Sequence, residues 1–169
     1  MQMRMGLIIL GMLMSGATAW AAPDAPFAGF AHDTSQPVEI AADSLEVRRA
    51  EQKAIFRGDV DVRQGPGIMR AQELEVFYKE GAEPGSAEQG AIKRIKARGS
   101  VFISNGKETA EGDWADYDVA GEMIIMGGGV MLTQGESAIS GKELHIDLKI
   151  GKGEIKGGRV RALFSPEAQ

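Results

Sequence analysis

Apolar and polar residues alternate along most of the chain after residue 37. In the first clear example, Phe56, Val60 and Val62 share one parity, whereas Arg57 and Asp59 hold the other. The same alternation returns several times further along the sequence. A period of two is typical of a β-strand that buries one face. Because no stretch after residue 30 keeps a helical period, the pattern predicts an all-β fold.

The strand pattern itself repeats four times. A Gly-x-Val phrase recurs at intervals of 41, 29 and 30 residues, with its glycines at Gly58, Gly99, Gly128 and Gly158. A second phrase recurs at intervals of 29, 41 and 29 residues, centred on Leu45, Leu74, Ala115 and Leu144. The unit is therefore 29 residues long, and the interval of 41 contains 12 additional residues. The polar, glycine-rich segment 79–90 is the predicted insertion.

The parity of the apolar residues slips once inside the second phrase of every unit. In the first unit Ile40 lies at an even position and Leu45 at an odd one. A slip that recurs at the same point predicts a corner or bulge, where the strand bends and keeps the same face inward. The glycine of the first phrase fits such a bend. The last unit is atypical, because Ile155 has the wrong parity to join Val160.

Four units of this kind predict an elongated, solenoid-like body over residues 37–164. Each unit is too small to bury its own apolar face, so the units must stack. The interior would be an apolar slot between antiparallel sheets, open at both ends. The inward parity assigns to this slot Phe56, Val60, Val62, Leu74, Val76, Val101, Ile103, Tyr117, Ile124, Met126, Val130, Leu132, Leu144 and Ile146. The pattern is compatible both with an open slot and with a sealed core.

Each end of the stack is predicted to leave a strand with unpaired backbone groups. The first edge contains Val38 and Ile40, and the last contains Val160 and Ala162. Neither edge is heavily protected by proline or charge, which favours use of the edges in head-to-tail self-association.

The N-terminus has the pattern of a secretory signal peptide over residues 1–22. Arg4 is the only charge before Asp24, an apolar run follows it, and small residues lead up to Ala21. The alternative is a retained membrane anchor, since residues 6–22 just reach the length of a span. Export would leave a tail at 23–36 before the β-domain and another at 165–169 after it. A cysteine-free chain in an oxidising compartment must rely on its core alone.

Charge and residue types exclude several functions. The net charge is −5, and it becomes −6 without Arg4, which argues against nucleic acid as a partner. His32 and His145 are far apart in sequence, and no catalytic triad or phosphate-binding loop is visible. The cluster of Asp113, Asp116 and Asp118 lacks the spacing of a calcium loop and is interpreted as a solvated face. We predict no catalysis, no cofactor and no metal.

Several phrases of the sequence resemble a known family. They are DTSQPVEIAADSLEV at 33–47, FRGDVDVRQG at 56–65 and LTQGESAISGKELHIDL at 132–148. Together they are similar to the OstA-like (LptA) family of periplasmic lipopolysaccharide transport proteins. The similarity extends over roughly residues 33–164.

The resemblance implies a twisted β-jelly roll, located in the periplasm, whose slot shields the acyl chains of the lipid A moiety of lipopolysaccharide. It also implies a bridge between two membrane complexes. The inner-membrane partner would be the lipopolysaccharide ABC-transporter complex with its bitopic OstA-like subunit. The outer-membrane partner would be the translocon, and successive copies would stack head to tail.

Three other classes of protein remain open from the residues alone. A membrane-anchored OstA-like partner would share the fold but keep its N-terminal segment. An exported β-solenoid enzyme acting on glycans would need paired carboxylates or a metal beside a groove. A purely structural exported β-protein would have a sealed core.

Overall fold

A computed structural model describes residues 37–84 and 90–164. The predicted signal peptide, the tails at 23–36 and 165–169, and part of the insertion lie wholly or mainly outside the described residues. The strands are β1 (Glu39–Ala41), β2 (Ser44–Arg48), β3 (Lys53–Gln64), β4 (Gly67–Tyr78), β5 (Ile92–Ser104), β6 (Glu108–Asp118), β7 (Met123–Gln134), β8 (Ser137–Asp147), β9 (Lys152–Lys156) and β10 (Arg161–Leu163). A 3-10 turn at Arg49–Glu51 links β2 to β3.

All the strands belong to one antiparallel sheet in which neighbours in sequence are neighbours in space. The order is β1-β3-β4-β5-β6-β7-β8-β10. Both β1 and β2 pair with β3, and both β9 and β10 pair with β8. The first and last members of the sheet are thus each broken into two short strands. The all-β prediction is confirmed, and the insertion falls between β4 and β5.

Glycine corners bend the long strands at the positions where the parity slips. The register between β3 and β4 shifts after Arg57, where Gly58 has a φ of 81°. Equivalent shifts occur at Gly99 in β5 and at Gly128 in β7, with φ values of 80° and 88°. A positive φ is accessible to glycine without a steric penalty. The corners divide the sheet into two half-sheets whose inner faces bury one common core.

The fourth corner lies one residue earlier than the sequence predicts. Gly157, rather than Gly158, is the equivalent of Gly58, because its carbonyl accepts a hydrogen bond from the Lys142 amide at 3.2 Å. The carbonyl of Gly58 accepts one from the Asp43 amide in the same way, at 3.0 Å. The choice of Gly158 was wrong because two adjacent glycines, both with positive φ, occupy this corner.

The shifted corner also explains the unusual parity of the last unit. Ile155 pairs with Leu144 before the corner, and Ala162 pairs with Ile139 after it. The corner contains one residue more than the others, so the parity changes once more between Ile155 and Val160. Both of these side chains face Gly141, where an added Cβ would collide with Ile155 and lie 3.7 Å from Val160.

Apolar side chains form continuous rows across the strands, which is the physical meaning of the repeat. One row follows the backbone register through Leu45, Phe56, Leu74, Ala97, Ala115, Met126, Leu144 and Ile155. A second row, on the other half-sheet, follows it through Ile40, Val62, Met69, Ile103, Ala110, Leu132, Ile139 and Ala162. Each repeat unit adds two strands to both rows.

Candidate functional site

An apolar cavity of about 370 Å³ lies between the two half-sheets, toward the N-terminal end of the sheet. Residues of β1, β3, β4, β5, β6 and β7 surround it. The apolar part of its wall consists of Val38, Ile40, Val62, Pro66, Gly67, Ile68, Met69, Leu74, Val76, Ile92, Ile95, Ala97, Ile103, Ala115, Tyr117 and Ile124. Three polar residues, Gln64, Ser104 and Asn105, complete it. A cavity of this composition can hold an apolar chain but offers few groups for chemistry.

The polar residues of the wall belong to the ends of strands rather than to its apolar floor. Gln64 ends β3, and Ser104 ends β5 next to Asn105. The Asn105 side chain fixes this turn, since its Oδ1 accepts hydrogen bonds from the amides of Lys107 at 2.8 Å and Glu108 at 2.7 Å. Its Nδ2 donates to the Glu108 carboxylate at 3.0 Å. The turn therefore holds a polar rim against the apolar wall.

All fourteen residues assigned to the slot lie in the common core or pack against it. Six of them line the cavity, namely Val62, Leu74, Val76, Ile103, Tyr117 and Ile124. The other eight are Phe56, Val60, Val101, Met126, Val130, Leu132, Leu144 and Ile146, and they pack the corners and the β7–β8 side. The interior thus combines an open part and a packed part, two possibilities that the sequence pattern left open.

Sequence reasoning missed about half of the cavity wall. Met69, Ile95, Ala97 and Ala115 lie in the same cross-strand rows as the assigned residues, so inward parity could have identified them. The residues of the turns, such as Pro66 and Asn105, have no periodic signal that points to a cavity. They line it because the chain reverses there.

Burial affects the one ionisable group in the cavity wall. The pKa of the Tyr117 phenol is raised, mainly by burial and to a lesser extent by the nearby carboxylates of Glu122 and Asp118. The hydroxyl therefore remains protonated and neutral at physiological pH. Among the described residues, no group of three or more His, Asp or Glu side chains is placed to hold a metal ion.

The basic segment 93–98 lies on the outer face, where carboxylates neutralise most of it. Arg94 forms two hydrogen bonds with Asp116, both 2.6 Å long. Arg98 lies 3.5 Å from the Glu75 carboxylate, and the ammonium group of Lys96 lies 5.6 Å from the centre of the Phe77 ring. This arrangement favours the interpretation of the segment as an ordinary outward strand face over that of a phosphate-binding rim.

Both ends of the sheet present short strands that pair on one side only within the described chain. We call β1 with β2 the N-terminal edge, and β9 with β10 the C-terminal edge. Val38 and Ile40 lie at the first, and Val160 and Ala162 lie at the second, as assigned from the sequence. The sequence analysis did not include β2 and β9, which form the other half of each edge.

The part of the chain that the structure describes contains no helix long and apolar enough to cross a membrane.

Comparison with known proteins agrees with this architecture. Residues 39–152 match the family model described as LptA/(LptD N-terminal domain) LPS transport protein. An uncharacterized protein of Rhizobium meliloti (strain 1021) is 30% identical over 160 residues, which cover 93% of this chain and 86% of that protein. The LPS-assembly protein LptD of Neisseria meningitidis serogroup A is 31% identical over 67 residues. That match covers 40% of this chain but only 8% of LptD.

The fold also matches a solved structure. LptH of Pseudomonas aeruginosa, described as the LptA-homologous periplasmic component of the lipopolysaccharide transport device, superposes with a TM-score of 0.67. The match covers 79% of this chain and 99% of LptH at 16% sequence identity, so it concerns the fold. The family match over most of the β-domain is what settles membership: the chain belongs to the LptA/(LptD N-terminal domain) family of lipopolysaccharide transport proteins.

Proposed function

We propose that this protein binds lipopolysaccharide in the periplasm and shields its acyl chains between the two half-sheets. The observation that carries the proposal is the apolar cavity of about 370 Å³ in a fold of this transport family. Such a volume is at the lower end of the range of about 300–1,000 Å³ that is typical of small-molecule pockets. The cavity therefore suits a single acyl chain better than a whole lipid.

The physical reason for shielding is the cost of exposing hydrocarbon to water. Each buried methylene group contributes about 0.8 kcal/mol, so one acyl chain gains several kcal/mol when the cavity replaces its water. Further acyl chains would need the packed part of the slot to open or a second copy to extend it. Half-buried side chains such as Phe56 and Ile103 lie where the two half-sheets could separate.

Transport also requires contacts at both membranes. The N-terminal and C-terminal edges offer backbone groups to further strands, which fits β-strand addition to partners. We propose three such partners: further copies of this chain stacked head to tail, the inner-membrane ABC-transporter complex with its bitopic OstA-like subunit, and the outer-membrane translocon. Periplasmic location rests on the signal peptide assigned to residues 1–22. The role needs neither catalysis nor a cofactor.

Site-specific photo-crosslinking tests the interior site. A photoreactive residue at Ile103, in the cavity wall, should form a crosslink to purified lipopolysaccharide. The same residue at the adjacent Phe102 is the matched control, because Phe102 has the outward parity and does not belong to the common core. Equal crosslinking yields at the two positions would show that lipid binds outside the cavity.

A further inference from the structure

The apolar rows of the interior end abruptly at the two edges. At the N-terminal edge, Leu45 is 53% exposed although its row partners Phe56 and Leu74 are buried or half-buried. At the C-terminal edge, Leu163 and Phe164 are 67% and 72% exposed. These side chains are covered only if another strand continues the rows, and the structure indicates which strand fits.

Two types of strand alternate through the sheet. Strands β3, β5 and β7 carry a glycine corner, and the residue that faces this glycine on the next strand in space is polar. Space for a Cβ at the corner glycine is taken by Asp43 at Gly58, Gln72 at Gly99, Asp113 at Gly128 and Lys142 at Gly157. The C-terminal edge is of the glycine type, and the N-terminal edge, with Asp43, is of the polar type. Placed side by side, they continue the alternation.

The additional residue in the last corner does not disturb this geometry. Ile155 occupies the place beside Leu144 that Met126 occupies on the other side of β8. Ala162 occupies the place beside Ile139 in the same way as Leu132. The two halves of the C-terminal edge therefore have the spacing of a regular strand, and the extra residue is taken up within the corner.

We propose that the head-to-tail joint has a single register, in which Ile155 lies opposite Leu45 of the next copy and Ala162 lies opposite Ile40 of the next copy. This inference rests on the self-association included in the proposed function. It follows from repeating the register of β3 and β4, where Phe56 faces Leu74 and Val62 faces Met69. Both apolar rows then run without a break from one molecule into the next.

Charge favours this joint over contacts between like edges. Around the corner, the C-terminal edge carries the cations Lys156, Arg159 and Arg161. The facing part of the N-terminal edge carries the anions Glu39 and Asp43. Two N-terminal edges would bring carboxylates together, and two C-terminal edges would bring cations together. Like charges placed opposite each other across a strand pair are destabilising.

The other half of the joint does not gain from charge. In the proposed register Glu154 faces Glu46 of the next copy, but each already has a cation beside it. Glu154 lies 3.4 Å from Lys156, and Glu46 lies 2.6 Å from Arg48. Exposed pairs of this kind contribute little, about 0–1 kcal/mol. A slip of two residues would place Lys156 opposite Glu46, but it would move the corners out of line in both halves.

Disulfide crosslinking can read the register directly, because the chain contains no cysteine. The proposed register places Lys156 opposite Ser44 of the next copy, and both positions are exposed. Opposite residues in antiparallel strands have Cα atoms about 4.5–5.5 Å apart, which a disulfide can span. A shift of two residues along the strand adds about 7 Å of displacement, which a disulfide cannot span.

The experiment mixes full-length single-cysteine variants under mild oxidation. The K156C protein should crosslink to S44C at least several-fold faster than to E46C, which is the matched control two residues away. Predominant crosslinking to E46C, or S44C and K156C each crosslinking mainly to themselves, would overturn the register. Absence of any crosslink at concentrations where lipopolysaccharide still binds would overturn the joint but not lipid shielding. Loss of lipid binding by the wild-type protein would instead contradict the proposed function.

A charge-reversal pair tests the electrostatic part. The R161E variant should join the wild-type N-terminal edge more weakly, by roughly threefold to tenfold, and added salt should reduce this difference. Combining R161E with an E39K partner should restore joining. If E39K fails to compensate and R161E alone has no effect, charge does not select the joint.

Discussion

Individual inward residues divide into two physical classes that share one sequence signal. Val101 is 1% exposed and packed on all sides, whereas Ile103, two positions later on the same strand, borders the cavity. Alternation identifies both as inward. It cannot rank them, because the distance between the half-sheets at each position depends on all the side chains of both rows. The sequence therefore predicted the inward set but not its division into cavity wall and packed core.

Aspartate substitutions should separate the two classes. V101D buries a carboxylate without a partner and should lower the free energy of unfolding by at least about 3 kcal/mol. I103D places the charge at the cavity wall, where water can reach it, so we expect a smaller loss of stability with a strong loss of lipopolysaccharide binding. Urea unfolding and a lipid-binding assay measure the two effects.

The control for these variants is M131D, because Met131 lies on the outer face and is 48% exposed. It should keep both stability and lipid binding close to wild type. The interpretation fails if I103D binds lipopolysaccharide as well as M131D does.

At the scale of strands, the sequence predicted the corners because a corner leaves a double mark. Parity slips on one strand, and a glycine stands on its neighbour. The last corner was misplaced by one residue because Gly157 and Gly158 are adjacent and the pattern gives no means of choosing between them. What decided the choice is the hydrogen bond from the Lys142 amide, a contact across the sheet that sequence alone does not contain.

The corner glycines should be intolerant of any side chain for two separable reasons. Gly128 has a φ of 88°, and an added Cβ would also collide with Asp113. Gly106, in the turn before β6, has a φ of 89° but no atom within 4 Å of an added Cβ. G106A should therefore cost about 1 kcal/mol from backbone strain alone. G128A should cost at least about 1 kcal/mol more, as measured by chemical denaturation.

If the two alanine variants lose equal stability, the corner is held by backbone conformation and the contact with Asp113 contributes nothing. A second variant, G128A with D113A, addresses the same point. Removing the Asp113 carboxylate should recover part of the loss if the collision is real.

For the molecule as a whole, the cavity is asymmetric in a way that the nearly identical repeats do not suggest. Its wall contains residues from β1 to β7, and among the described residues none from β8, β9 or β10 contributes. The repeats are similar in pattern but not in volume. Where the N-terminal units place Ala97 and Ala115 in the central row, the later strands place Met126 and Leu144, which fill the space with larger side chains.

This asymmetry predicts where bound lipid will protect the backbone. In hydrogen exchange at concentrations too low for self-association, added lipopolysaccharide should slow exchange in β3, β4 and β5, with little change in β8 and β9. Lipopolysaccharide stripped of its acyl chains is the control and should protect neither region, because the cavity offers apolar contacts. Protection centred on β8 and β9 would mean that the packed half opens first. The lipid would then enter beside Met126 and Leu144, not through the cavity near Ile103.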